Sequence, residues 1–221
     1  MKRRTKAALA VVATAKVAAL AFVVRPWYLH WGATGPETAE PLPGDGLVPQ
    51  ADLVATRAIT IAARPGQVWP WIAQMGQGRG GLYSYAAAEN LIGCDMHSAD
   101  TIVADWQEVA VGDDFRLHPD VALKVAVVEP GRALVISGGV PVGDAAPPFD
   151  FTWAFVLADR HDGTTRLLVC ERYGYTRWWS ALLVEPVEAV SFVMSQRMLR
   201  GIGERAESAA VTERAQQTAT A

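Results

Sequence analysis

The sequence lacks the features that identify several common classes of protein. It has only two cysteines, Cys94 and Cys170, which are too few for a disulfide framework and form no CxxC motif. Its formal net charge of −3 provides no broad basic surface, so nucleic acid is not an expected partner. Neither a G-x-S-x-G nucleophile motif nor a P-loop is present, which argues against α/β-hydrolases and P-loop nucleotidases.

The sequence also offers little to hold a metal ion. Cys94 and His97 have the spacing of a ligand pair, but no second pair accompanies them, and the remaining histidines are scattered. We therefore predict that the protein has no metal site. Whether the two cysteines form one disulfide is not decided by the sequence.

The N-terminus has the pattern of a membrane anchor. The basic stretch MKRRTK precedes an apolar run from Ala7 to Val24, which as a helix would rise about 27 Å, close to the thickness of a bilayer core. Trp27, Tyr28 and Trp31 follow, where interfacial aromatic residues are expected. We predict a single-pass anchor within residues 1–31, with the following domain on the outer side of the membrane. The alternative is a signal peptide cleaved after Ala19-Leu20-Ala21.

Hydrophobic periodicity divides the rest of the chain. Residues 32–54 are rich in Pro, Gly and acidic residues and are predicted to be a linker arm. Residues 55–207 form the predicted domain, and residues 208–221 a frayed tail. Within the domain, period-two alternation predicts strands at 55–63, 113–118, 123–129, 131–139, 149–159 and 164–175. Helical spacing predicts helices at 64–75, 83–93 and 185–207. This order indicates an α+β fold whose antiparallel sheet is covered by the long C-terminal helix.

One short stretch, MGQGRGG, contains the G-x-G-x-x-G spacing of a dinucleotide-binding loop in Gly76, Gly78 and Gly81. That motif requires a strand before it and a parallel βαβ unit around it. Here a helical run precedes the loop and hairpins follow it, so no nucleotide and no other cofactor is expected. The loop is predicted to be either a mobile lid or a tight helix connection.

Three blocks of the sequence resemble membrane-anchored bacterial SRPBCC proteins. They are VWPWIAQMGQGRGGLYSYAAAENLIGCDMHSAD (68–100), WGATGPE…LPGDGLVP before it and FVMSQRMLRGIGERAE after it. These are START-like, polyketide cyclase/dehydratase-like proteins with a helix-grip fold. The resemblance implies an antiparallel sheet wrapped on a long C-terminal helix around a hydrophobic cavity. Such a cavity binds lipids, sterols, polyketides or other apolar molecules, and some members act on them chemically.

Two functions are compatible with these patterns. The first is membrane-tethered binding of a hydrophobic small molecule or lipid; the second is a cyclase-, dehydratase- or hydrolase-like activity in which His97 works with a nearby carboxylate. The catalytic candidates are His97, Asp95, Glu89 and Glu171. The candidate ligand-binding residues are Arg79, Tyr83, Tyr85, Phe151, Trp153, Phe155, Met194 and Met198. For Glu171 the sequence leaves open whether the side chain serves the cavity or pairs with an arginine.

Overall fold

The computed structural model describes residues 22–141 and 145–220. Six strands form one antiparallel sheet in the order β1-β6-β5-β4-β3-β2. The strands are β1 (Leu53–Ile61), β2 (Asp114–His118), β3 (Val121–Glu129), β4 (Ala133–Gly138), β5 (Phe149–Asp159) and β6 (Thr165–Tyr175). Every pairing between neighbouring strands is antiparallel, so the predicted sheet is confirmed.

Among the described residues, four α-helices and two short 3-10 helices (Asp45–Leu47 and Ala104–Trp106) follow a helical segment at residues 22–29. The α-helices are named in chain order. They are α1 (Gly35–Ala39), α2 (Pro65–Ala73), α3 (Ala86–Leu91) and α4 (Ser180–Thr220). The long C-terminal helix is confirmed, and the arrangement of sheet and helix fits the helix-grip fold.

All three predicted helices differ in length from the structure. Helix α2 spans Pro65–Ala73 and is shorter than the predicted 64–75. Helix α4 has 41 residues and continues through the predicted tail, because the Ala- and Gln-rich end has good intrinsic helix propensity even without an apolar stripe. Helix α3 begins three residues later than predicted, because Tyr83 has a φ of 56°, a left-handed conformation that a right-handed helix cannot include.

The main core lies between the inner face of the sheet and helices α2 and α4. Along β5, Phe155 and Leu157 belong to this core, whereas Ala154 and Val156 belong to a second cluster on the outer face. This alternation follows from the period of two in a strand. From α4, Met198 and other residues one or two turns apart complete the inner core.

The predicted linker arm is instead an ordered strap, residues 32–52, over the outer face of the sheet. Leu42 packs against the outer-face cluster. Gly44 has a φ of +90° and approaches β4 so closely that a Cβ there would lie 2.5 Å from Val135 Cγ1. Arg166 Nε donates to Glu37 Oε1 at 2.7 Å, in a pair with little exposure to solvent. The strap therefore completes the second layer that buries the outer face.

The predicted anchor, Ala7 to Val24, lies mostly outside the described residues. The part of the chain that begins at Phe22 includes no helix with both the length and the apolar character needed to cross a bilayer. The helical segment 22–29 and the residues after it pack on α4. The ring centroid of Phe192 lies 5.2 Å from that of Trp27 and 6.4 Å from that of Trp31. Arg25 Nη2 pairs with Glu185 Oε1 at 2.7 Å.

Candidate functional site

A cavity of about 360 Å³ lies between the inner face of the sheet and α4, with α3 and the residues after it along one side. Its lining is mostly apolar and comes from elements far apart in the sequence. The lining residues are Leu82, Ser84, Glu89, Ile92, Cys94, Met96, Leu117, Val140, Phe149, Phe151, Trp153, Glu171, Tyr173, Val187, Val190, Ser191, Met194, Ser195 and Met198. Of the predicted ligand-binding residues, Phe151, Trp153, Met194 and Met198 therefore line the cavity.

Aromatic side chains of β5 and β6 form one wall of the cavity. The rings of Phe151 and Tyr173 lie 4.8 Å apart between centroids, at an interplanar angle of 42°. Trp153 meets Phe115 edge to face at 6.1 Å. Such contacts fix the orientation of the rings, so the wall is a preformed apolar surface. Phe155, predicted to bind ligand, is fully buried beyond this wall and belongs to the core.

Glu171 lies at the junction of β6 and α4 and accepts hydrogen bonds from four side chains. Arg57 Nη1 donates to its Oε1 at 3.0 Å, and Tyr173 Oη donates to its Oε2 at 3.1 Å. From α4, Ser191 Oγ and Ser195 Oγ each donate at 3.0 Å. The side chain thus both lines the cavity and pairs with a buried arginine, which combines the two possibilities that the sequence left open.

A second carboxylate shares the same arginine. Arg57 Nη2 donates to Glu188 Oε1, and all three charged side chains of this buried cluster, Arg57, Glu171 and Glu188, are at most 3% exposed. Burial, and then repulsion from the Glu171 carboxylate, raise the pKa of Glu188 to about 8 in spite of the ion pair with Arg57. Because two carboxyl groups face one guanidinium, the ionised form of Glu188 is disfavoured in the folded protein.

Glu89 is a further buried carboxyl group at the cavity. It is 7% exposed, and Ser84 Oγ donates a hydrogen bond to its Oε1. Its Oε2 is buried and has no hydrogen-bond partner. Burial raises the pKa of Glu89, and the hydrogen bond from Ser84 opposes part of this shift.

The structure does not bring His97 and Asp95 to the cavity. His97 Nε2 lies 3.0 Å from Asp95 Oδ1, but the two side chains are 79% and 67% exposed. Their segment runs along the protein surface, where Met96 is the buried residue and its neighbours point outwards. The predicted combination of His97 with a carboxylate therefore lies in solvent.

The remaining predicted ligand-binding residues also lie outside the cavity lining. Arg79 donates to the carbonyl oxygens of Trp106 and, at 3.3 Å, Ala73, so it holds two chain segments together. Tyr83 is buried, and its hydroxyl donates to the Trp71 carbonyl at 3.1 Å. Tyr85 is 48% exposed. None of the three is among the residues that line the cavity.

The glycine-rich loop is a tight connection. Gly76 and Gly81 exchange two backbone hydrogen bonds of 3.0 Å, and Gly80 N donates to Gln74 O at 2.7 Å. Gly81 has a φ of +74°, and a Cβ there would lie 2.6 Å from the carbonyl oxygen of His97. Of the two alternatives from the sequence, the tight helix connection is the one that the structure shows. Its residues do not line the cavity.

Metal and disulfide chemistry have no geometric basis in the described ranges. Within residues 22–141 and 145–220, no three His, Cys, Asp or Glu side chains lie close enough together to bind one metal ion. Cys94 and Cys170 are both free thiols. Cys94 lines the cavity, whereas Cys170 belongs to the cluster on the outer face of the sheet.

Comparisons with known proteins find similar solved structures. No protein-family model and no curated protein matches the chain. Among solved structures, norcoclaurine synthase from Thalictrum flavum is 12% identical, with 75% of this chain and 92% of that chain covered and a TM-score of 0.44. Protein MLL2253 from Mesorhizobium loti is 18% identical, with coverages of 66% and 96% and a TM-score of 0.40. CalU16 from Micromonospora echinospora is 18% identical, with coverages of 70% and 84% and a TM-score of 0.35.

Proposed function

We propose that the protein binds a hydrophobic small molecule or lipid in the cavity between the sheet and α4. The observation that carries this proposal is the cavity itself, about 360 Å³ in volume and bounded mainly by aromatic, aliphatic and methionine side chains. Ligand sites are typically concave and mostly apolar, with few polar groups. Apolar surface that remains exposed to water in such a cavity provides a driving force for an apolar ligand to enter.

The placement of the polar groups supports binding rather than catalysis. An acid–base mechanism that uses His97 requires this side chain beside the bound molecule. His97 instead lies on the surface, and Glu171 is already engaged by four donors. The described residues of the cavity therefore present no paired acid and base that is free to react.

We further propose that the protein acts at a membrane, with an N-terminal single-pass anchor and the domain on the outer side. The rim of the cavity supports this location: Ile92, Val187 and Val190 line the cavity and are 75%, 51% and 64% exposed. Exposed apolar patches of this kind are typical of membrane or protein contacts. The chain also leads from the apolar N-terminal run into the aromatic residues that pack on the same half of α4.

Native mass spectrometry of the full-length protein, purified in detergent, tests the binding function. We expect a co-purified adduct that disappears after delipidation and returns when a membrane lipid extract is added back. Absence of any adduct, both before and after this addition, would contradict the proposal. Carbonate extraction of membranes tests the anchor separately, because release of the intact chain into the soluble fraction would exclude it.

A further inference from the structure

The charged side chains that line the cavity are both acidic. They are Glu89 and Glu171, and no Lys, Arg or His is among the described lining residues. Glu171 is compensated by Arg57 and by three hydroxyl groups. Glu89 has one donor, Ser84, and no basic group of the described chain lies within ion-pair distance of it.

The carboxyl group of Glu89 is therefore incompletely satisfied. It is more than nine-tenths buried, and Oε2 lacks a hydrogen-bond partner. A buried polar atom without a partner destabilises the structure, and a buried negative charge without a counter-ion does so more strongly. A donor supplied by a bound molecule would remove this penalty.

The backbone around Glu89 keeps the side chain at the cavity wall. Cys94 N donates to the Glu89 carbonyl at 3.1 Å, which closes the turn after α3. Asn90 then clamps Met96: its Nδ2 donates to the Met96 carbonyl at 3.0 Å, and its Oδ1 accepts from Met96 N at 2.5 Å. These bonds fix the backbone of residues 89–96, from which the Glu89 side chain faces the cavity.

We propose that Glu89 binds the ammonium group of an apolar amine, whose hydrocarbon part occupies the cavity. This inference rests on the proposed binding function and specifies its ligand class. An ammonium group supplies both the hydrogen-bond donors and the positive charge that the surroundings of Glu89 lack. A carboxylate or phosphate head group would be repelled by Glu89, which has no counter-ion among the described residues, so fatty acids and anionic lipids are disfavoured.

Three probes with the same chain and different head groups test the ligand class. Octylamine, octanol and octanoate are titrated calorimetrically into the full-length protein at one detergent concentration, with protein-free micelles as blanks. We expect octylamine to bind about tenfold more tightly than octanoate. In Glu89→Gln, which keeps the shape but removes the charge, the affinity for octylamine falls about tenfold while that for octanol stays the same. Asp95→Asn, which removes an exposed carboxylate outside the cavity, is the matched control and leaves all three affinities unchanged.

The outcomes separate failure of this inference from failure of the cavity function. If no probe binds, the binding function is wrong. If all three bind with similar affinity, or if octylamine binds equally well to Glu89→Gln, the cavity takes apolar molecules but Glu89 does not select amines. The comparison of probes on the unmodified protein decides the matter even if Glu89→Gln does not fold.

Discussion

Arg57 Nη1 lies 3.0 Å from Glu171 Oε1, and the two side chains are 1% and 3% exposed. This ion pair joins β1 to β6 beneath the cavity. The Arg57 guanidinium also donates from Nε to the Tyr28 carbonyl at 2.9 Å and contacts Glu188 on α4. One side chain thus connects the sheet, the helix and the N-terminal segment.

Removal of this arginine should destabilise the whole domain. Arg57→Ala leaves the buried Glu171 carboxylate without its counter-ion and Glu188 without its hydrogen-bond donor. We expect the free energy of unfolding to fall by about 3–5 kcal/mol. Arg116→Ala is the control, because Arg116 pairs with Asp114 where both side chains are at least 40% exposed; that change should cost less than about 1 kcal/mol. Urea unfolding of both variants provides the measurement, and equal losses would contradict the role of the buried cluster.

The stability of the protein should depend on the protonation of Glu188. The pKa of this side chain is about 8 in the folded protein, above its usual value of 4.5, so the folded state binds the proton more tightly than the unfolded state. The resulting stabilisation is complete below about pH 4.5 and is lost as the pH rises to about 8. The slope is at most about 1.4 kcal/mol per pH unit.

Glu188→Gln resembles the protonated side chain and should remove this dependence. We therefore expect the difference in stability between wild type and Glu188→Gln to shift in favour of the variant as the pH rises from about 5 to about 8. The pKa of His30 is lowered by burial and then by Arg57, so this residue makes the protein more stable as the pH rises. Because His30 is present in both proteins, its contribution cancels in the difference. A difference that stays constant across this range would show that Glu188 is ionised throughout.

Filling the cavity should prevent uptake of an apolar ligand. Met194 lines the cavity, whereas the adjacent Val193 is 49% exposed. Met194→Trp should abolish the ligand adduct in native mass spectra, and Val193→Trp should leave it in place, because neighbouring helix positions point in different directions. If both variants retain the adduct, the ligand binds elsewhere.

Two glycines of the loop allow the cost of a left-handed backbone conformation to be measured separately from the cost of a steric contact. Gly78 and Gly81 share a φ of +74°, but a Cβ on Gly78 would meet no atom within 4 Å, whereas one on Gly81 would lie 2.6 Å from a backbone oxygen. Gly78→Ala should therefore cost about 1–2 kcal/mol from the backbone conformation alone. Gly81→Ala should cost more, because the backbone of His97 must also move. Thermal unfolding measures both, and similar losses would show that the contact is relieved easily.

The same thermal assay tests the dinucleotide interpretation of the loop. Addition of NAD or ATP should leave the melting temperature unchanged, because a ligand stabilises only a state to which it binds. A saturable increase with either nucleotide would overturn this interpretation. If a nucleotide does raise the melting temperature by binding to this loop, the increase should be absent from Gly81→Ala, which alters the last glycine of the motif.

The sheet could be predicted because its strands carry period-two patterns that do not depend on distant residues. In β5, apolar aromatic residues alternate with smaller ones, and the two sets lie on opposite faces as expected. The strap could not be predicted in this way. Its composition is that of a linker, and its order depends on partners far along the chain, such as Arg166 for Glu37.

The burial of Arg57 and Glu188 could be predicted from their positions in the strand and helix patterns, but their partners could not. Arg57 has the same parity as Ile59 and Ile61, which places it on the apolar face of β1. Glu188 lies one turn after the buried Val184 on α4. A single charged residue in such a stripe does not reveal its partner, and the residues that compensate Arg57 lie more than 100 positions away. The sequence likewise does not identify Ser191 and Ser195 as partners of Glu171, because this requires knowing that Glu171 faces α4.

The strap and the residues before it also fix the orientation of the N-terminal segment relative to the cavity. From Arg25, paired with Glu185, to Asp52, which accepts a hydrogen bond from Tyr175 N at 2.7 Å, the chain is fastened to the domain at successive points. Along this path Trp31 O accepts from Ala58 N, and Gly32 O accepts from Arg166. Between Arg25 and Asp52 the described chain therefore has no long unattached stretch that would let the N-terminal segment rotate relative to the domain. The direction of the helical segment at residues 22–29 is therefore fixed relative to the opening of the cavity.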